Sequence, residues 1–198
     1  MTASVILALG LGVVLVRRRS FAIALVSAQS LALGLLALDH DGELLVAGLV
    51  LVVKALALPA LLVAVLRRTR EPRLVAAAAG PLVRLAGTAA AAALAVVLLP
   101  PLGTGDAHAE RTAVALVVIG LSIVVARRPA LFQLLGLIVA ENGLSLLALS
   151  VPGGLSYVIE LGALFDLALV VVVASFFTRR IHGELGTGDT ELLRGLRD

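Results

Sequence analysis

The chain has no cysteine and no tryptophan in its 198 residues, and aromatics make up only 3% of them. Without cysteine, the polypeptide itself holds no disulfide, zinc–thiolate site or iron–sulfur cluster. Charge is scarce as well, at 15% of residues, where an ordinary soluble domain carries about 25%. Apolar residues fill the space: they make up 61% of the chain, and the mean hydropathy is +1.13. A soluble domain of this length cannot hide that much apolar surface, and a disordered chain has the opposite composition. The composition is that of a membrane protein.

A membrane-spanning helix needs roughly 20 apolar residues, with a range of about 17–25. Seven stretches meet or approach this: Thr2–Val16, Phe21–Leu38, Leu44–Leu66, Leu82–Leu102, Thr112–Ala126, Ala130–Ser150 and Leu155–Thr178. The first and fifth are short, and flanking arginines reaching to the interface complete them. The connectors Arg17–Ser20, Asp39–Glu43, Arg67–Arg73, Gly103–Arg111, Arg127–Pro129 and Val151–Gly154 hold most of the breakers and charges. The expected fold is therefore all-α, a polytopic bundle of seven transmembrane helices over residues 1–178, with a polar tail over 179–198. The Ala76–Ala79 and Ala89–Ala93 runs read as lipid-facing or closely packed helix.

Charge placement orients the bundle. Arginines follow the odd-numbered segments: Arg17–Arg19, then Arg67, Arg68, Arg70 and Arg73, then Arg127 and Arg128, then Arg179, Arg180, Arg194 and Arg197. The intervening connectors hold Asp39, Asp41, Glu43, Asp106 and Glu110, with Arg111 their one base. Basic loops stay in the cytoplasm, so the N-terminus is expected outside and the C-terminus inside. Met1–Val16 does not read as a signal peptide, because its positive charge follows the apolar run. The net charge of +3 and pI of about 10.5 thus describe a cytoplasmic collar of arginines facing membrane lipid, not a nucleic-acid surface.

Lys54, Glu141, Glu160 and Asp166 remain inside the apolar segments. An ionisable group at the bilayer centre costs about 2.5–3.5 kcal/mol on insertion scales, and by default marks function. Lys54 is the one lysine among 16 basic residues, and a buried lysine releases its proton far more readily than an arginine. Pro59, five residues on, has no N–H for the carbonyl of Ala55, which predicts a kink beside Lys54. Glu141, Asn142 and Ser145 form a polar stripe on the sixth segment, with Glu141 and Ser145 on one face. Burial favours the neutral form of a carboxylate, which suits reversible protonation. Asp166 lies deep in the seventh segment, and Glu160 lies nearer its outer end. These four residues are the expected proton path, with Asn142, Ser145, Gln29 and Pro59 in support. Gln29, with Ser27 and Ser30, reads chiefly as interhelical glue, and Arg84 as a residue reaching back to the interface. Each ionisable group also has a purely structural reading as a packing partner.

The three histidines, His40, His108 and His182, fall in separate connectors or the tail and do not converge on a metal. Phosphate-binding loops, nucleophile elbows and zinc-protease motifs are lacking. The chain is expected to catalyse no bond chemistry and to bind no cofactor itself.

Five motifs in order resemble the hydrogenase-4 component E family, membrane subunits of group 4 NiFe-hydrogenase and formate hydrogenlyase-type complexes. They are Ala28-Gln29-Ser30-Leu31, Lys54 with Pro59, Glu141-Asn142-Gly143, and Glu160-Leu161-Gly162 with Asp166. The fifth is the tail: Arg179-Arg180-Ile181-His182, Gly186, Asp189 and Leu193-Arg194-Gly195-Leu196-Arg197. The last three segments, about 112–178, are also similar to the K-type subunit of respiratory complex I and the C-type subunit of multisubunit cation/proton antiporters. The resemblance implies a non-catalytic subunit of a prokaryotic inner-membrane complex. Proton or cation movement would be coupled to redox beside antiporter-like subunits and peripheral hydrogenase-like subunits. NiFe and iron–sulfur centres would sit on those partners. His182, Asp189 and Arg194 would face a partner from the tail, where Glu191–Arg197 is expected to form a short amphipathic helix. The chain departs from the family in its alanine and arginine content and its few aromatics, which bears on the lipid-facing surface rather than the polar centre. The alternatives are a structural scaffold subunit of the same membrane arm and, with less support, a stand-alone secondary transporter. The latter lacks an inverted repeat.

Overall fold

The computed structural model of the chain describes residues 2–38, 53–69, 80–127, 129–151 and 171–172, and the regular elements among these are helical. In chain order they are α1 (Thr2–Leu15), α2 (Arg19–Leu38), a π-helical turn (Val53–Ala57) running into α3 (Leu58–Thr69), α4 (Pro81–Leu98), α5 (Ala107–Ala126) and α6 (Ala130–Ser150). Helix is the expected outcome for such sequences in lipid, because only a backbone bonded within its own segment avoids stranding N–H and C=O groups. Among the described residues, four helices are long and apolar enough to cross a membrane: α2, α4, α5 and α6. α1 and the stretch Lys54–Ala64 are apolar but shorter. Of the expected seventh segment only Val171 and Val172 are described, and both are helical.

Local chemistry moves two helix ends from where hydropathy puts them. α4 stops at Leu98 rather than Leu102, ahead of Pro100 and Pro101, which lack N–H groups and disfavour helix before them. α5 starts at Ala107 rather than Thr112. Asp106 caps it by accepting from the backbone N–H of His108 at 2.9 Å and of Ala109 at 3.0 Å. His108 and Glu110 are thus helical residues, not connector residues. Glu110 reaches back to the preceding loop, accepting from Leu102 N at 2.7 Å and Thr104 Oγ1 at 3.1 Å.

α5 and α6 form the centre as an antiparallel pair. Small residues let their backbones touch. A Cβ on Gly120 would stand 2.4 Å from Ala140 N and 2.5 Å from Gly136 O, and one on Gly143 would stand 2.8 Å from Ala113 O. Close approach through small residues is how membrane helices gain packing energy when lipid removes the hydrophobic drive. Phe132, Leu135, Ile138 and Leu146 of α6 pack with Leu116, Ile119 and Ile123 of α5 and Ile6 and Val13 of α1. α2 covers α6, and α1 lies against α2, α4 and α5. α1 runs parallel to α5: Ser4 Oγ meets His108 Nε2 at 3.3 Å at one end, and Arg127 meets Val14 at the other. α4 is peripheral, with 17% of its span buried against 61% for α6. The exposed Ala89, Ala90, Ala91 and Ala93 make its outer face.

Candidate functional site

The polar side chains of the apolar helices meet in the interior. α6 supplies three of them. Glu141 and Ser145, four residues apart, share one face, while Asn142 points about 100° away around the helix. Lys54 comes from the π turn and is 3% exposed. Its ammonium forms an ion pair with Glu141 Oε2 and donates to Ser145 Oγ at 2.9 Å. Ser145 Oγ in turn donates to Glu141 Oε1 at 2.9 Å. Lysine, serine and carboxylate form a closed ring.

Where the sequence places a kink, at Pro59, the helix has a π turn. Pro59, which has no N–H to bond back into the preceding turn, is the second residue of α3, which directly follows the wider π turn.

A second, neutral set adjoins the ring. Asn142 Nδ2 donates to Gln29 Oε1 at 3.1 Å and to Ser30 Oγ at 3.0 Å. Gln29 Nε2 donates to the Ile6 carbonyl of α1 at 2.9 Å. Gln29 and Asn142 are both 0% exposed, so these bonds satisfy amides that lipid would leave stranded. Gly10 makes room for the contact, since a Cβ there would stand 3.0 Å from Gln29 Nε2 and 2.9 Å from Leu116 Cδ2. α1, α2 and α6 are thereby joined through buried amide and hydroxyl groups. Of the supporting residues read from sequence, Gln29 and Asn142 lie in this set and Ser145 in the charged ring. Glu160, Asp166, His182, Asp189 and Arg194 lie outside the described residues.

Two arginines differ from expectation. Arg127, read as part of the collar, is 4% exposed. Its Nη2 donates to the carbonyls of Val14 at 2.8 Å and Val16 at 2.6 Å, and its guanidinium lies 4.4 Å from the centroid of Phe132. It thus satisfies the C-terminal carbonyls of α1, which α1 cannot satisfy itself. Burial, then the charges of Arg84 and Arg17, hold its pKa down to about 10. Arg84, read as reaching to the interface, is instead buried in the first turn of α4. Nothing in the sequence separates Arg127 from Arg128. Arg84 did carry a signal, as an arginine inside an apolar run instead of a connector.

The geometry offers a charged, hydrogen-bonded centre in the bundle and basic groups at one end, with Asp106 and Glu110 at the other. No protein-family model matches the chain, and no solved structure matches it. The chain is 34% identical over 168 residues to the uncharacterized protein Rv0085 of Mycobacterium tuberculosis, covering 81% of this chain and 76% of that protein. The chain belongs to the same family as this mycobacterial protein.

Proposed function

We propose that the chain is a non-catalytic, multi-pass subunit of a prokaryotic inner-membrane complex of the group 4 hydrogenase or complex I-like kind. In this reading it has seven spans, an outer N-terminus and a cytoplasmic tail, and it contributes ionisable groups to proton or cation movement coupled to redox chemistry on partner subunits. The order of motifs from Gln29 to Arg194 supports the family reading. The opposed placement of Arg17, Arg84 and Arg127 against Asp106 and Glu110 supports the orientation.

The Lys54–Glu141–Ser145 ring carries the functional reading. A lysine and a carboxylate paired inside a membrane bundle hold each other's charge. A proton arriving at Glu141 leaves Lys54 an uncompensated cation, which favours release of its proton or movement away from α6. Ser145, bonded to both, offers a relay for the proton. This is the coupling a translocating subunit needs: one charge changes and its neighbour must respond.

The second reading, a scaffold subunit, draws on the Gln29–Ser30–Asn142 set, which is satisfied within the bundle and joins three helices. One experiment separates the readings. The tagged chain is purified from native membranes in gentle detergent, its companions are identified by mass spectrometry, and the preparation is repeated with Glu141→Gln. Co-purifying hydrogenase-like and antiporter-like subunits, with an assembled Glu141→Gln complex that turns over without moving ions, are expected. Unchanged turnover and unchanged ion movement in that complex would overturn the proton-path role, and lowered assembly with normal activity would favour the scaffold. A chain that purifies alone and transports by itself would overturn both.

A further inference from the structure

At the basic end of the bundle, Arg84 is 8% exposed, and its Nε, Nη1 and Nη2 are buried without a hydrogen-bond partner. It sits in the first turn of α4, three residues after Pro81. Side chains on a helix lean toward its N-terminus, so the guanidinium is directed at the start of α4. That start has no side-chain cap: Gly80 contributes none, Pro81 has no N–H, and the first-turn N–H groups that follow have no partner within the helix. Arg17 and Arg127 lie within electrostatic reach, and Arg127 Nη1 is also buried without a partner. Among the described carboxylates, Asp106 and Glu110 are at the opposite end and Glu141 is held by Lys54. The buried, unpartnered guanidinium of Arg84 and an uncapped helix N-terminus therefore lie together, with the charges of Arg17 and Arg127 acting on the same end and no described carboxylate to offset them.

We propose that Arg84, Arg17, Arg127 and the N-terminus of α4 form a binding site for a phosphate group, carried by an anionic phospholipid headgroup or free in solution. The planar fork of arginine matches phosphate oxygens, and a helix N-terminus adds N–H donors and a positive dipole end. Arg84 lies in the first turn of α4, about one helical turn inside its end.

The test is thermal unfolding of the purified full-length chain in mild detergent. It is titrated with phosphatidylglycerol, phosphatidylcholine or sodium phosphate at matched ionic strength, for the wild type, Arg84→Gln and Arg84→Lys. Phosphatidylglycerol should raise the wild-type melting temperature by on the order of 5 °C at saturation, and phosphatidylcholine by much less. Arg84→Gln should lose most of that difference, and Arg84→Lys should keep part of it. In lipid-free detergent Arg84→Gln should melt no lower than the wild type, because no protein bond is removed. An equal shift with sodium phosphate supports the site and assigns it to a soluble anion, whereas a shift with phosphatidylglycerol alone assigns it to lipid. Equal responses to phosphatidylglycerol and phosphatidylcholine without one to phosphate, or a full phosphatidylglycerol shift in Arg84→Gln, would overturn the proposal. If Arg84→Gln fails to fold, native mass spectrometry of the wild type decides: preferential retention of phosphatidylglycerol supports the site, and no preference overturns it.

Discussion

Lys54, in the π turn ahead of α3, and Glu141, in the middle of α6, are ion-paired inside the bundle, and Ser145 closes the contact with two bonds of 2.9 Å. Neither charge has another described counter-ion. Removing water from two ions is costly, and their attraction offsets this only when the geometry is good and the remaining polar atoms are satisfied. Ser145 supplies part of that satisfaction.

Removal of one partner should therefore cost far more than removal of both. Lys54→Met alone leaves Glu141 buried and unpaired, and Glu141→Gln leaves Lys54 in the same condition. Each is expected to destabilise the detergent-solubilised chain by about 3–5 kcal/mol. The double variant should regain most of this loss, because no isolated charge remains. Chemical-denaturation midpoints for the four proteins of this cycle measure the coupling. A coupling near zero would show that each group is solvated independently of the other.

The α5–α6 contact makes a sharper steric prediction. In Gly120→Ala the new Cβ meets main-chain atoms of α6, Ala140 N at 2.4 Å and Gly136 O at 2.5 Å, and main chain cannot step aside as a flexible side chain can. The pair must open, at an expected cost of about 1–3 kcal/mol or more. Gly87→Ala in α4 is the control: nothing lies within 4 Å of its added Cβ. There the better helix former should leave stability unchanged or raise it by up to about 1 kcal/mol. Equal effects of the two substitutions on the melting temperature would contradict the close packing of α5 on α6.

The contrast between Glu141 and Arg127 explains what was legible in the sequence. Glu141, Asn142, Ser145, Lys54 and Gln29 stood out because a polar group in an apolar helix must find a partner, which makes its presence informative. Their pairing was not legible. Whether Asn142 meets Gln29 or Lys54 depends on the rotation of α6 against α2 and the π turn, which spacing along one strand of sequence does not encode. Arg127 was invisible for the opposite reason. It sits beside Arg128 in a connector, and only the three-dimensional approach of α1 distinguishes it. The start of α5 was missed because His108, Glu110 and Arg111 lower the hydropathy of its first turn. Helix onset there follows the Asp106 cap, not apolar content.

That cap should respond to pH in a definite direction. Backbone N–H groups of Ala109, then His108, donate to the Asp106 carboxylate and hold its pKa below the usual 3.8. The unfolded chain carries the usual value, so between the two values the unfolded state binds more protons and stability rises with pH. The contribution is therefore present above 3.8 and is lost as pH falls through the lower folded value. Asp106→Asn keeps a side-chain oxygen able to accept the same bonds but has no proton to gain, so its stability should lack this acid-dependent component. Asp106→Ala should lose the cap at every pH. Melting temperatures of the three proteins in detergent, followed from about pH 6 to about pH 3, give the comparison. The wild-type advantage over Asp106→Asn should shrink on acidification, while Asp106→Ala stays below Asp106→Asn throughout. A wild-type advantage over Asp106→Asn that did not change across this range would mean that the Asp106 charge plays no part in starting α5.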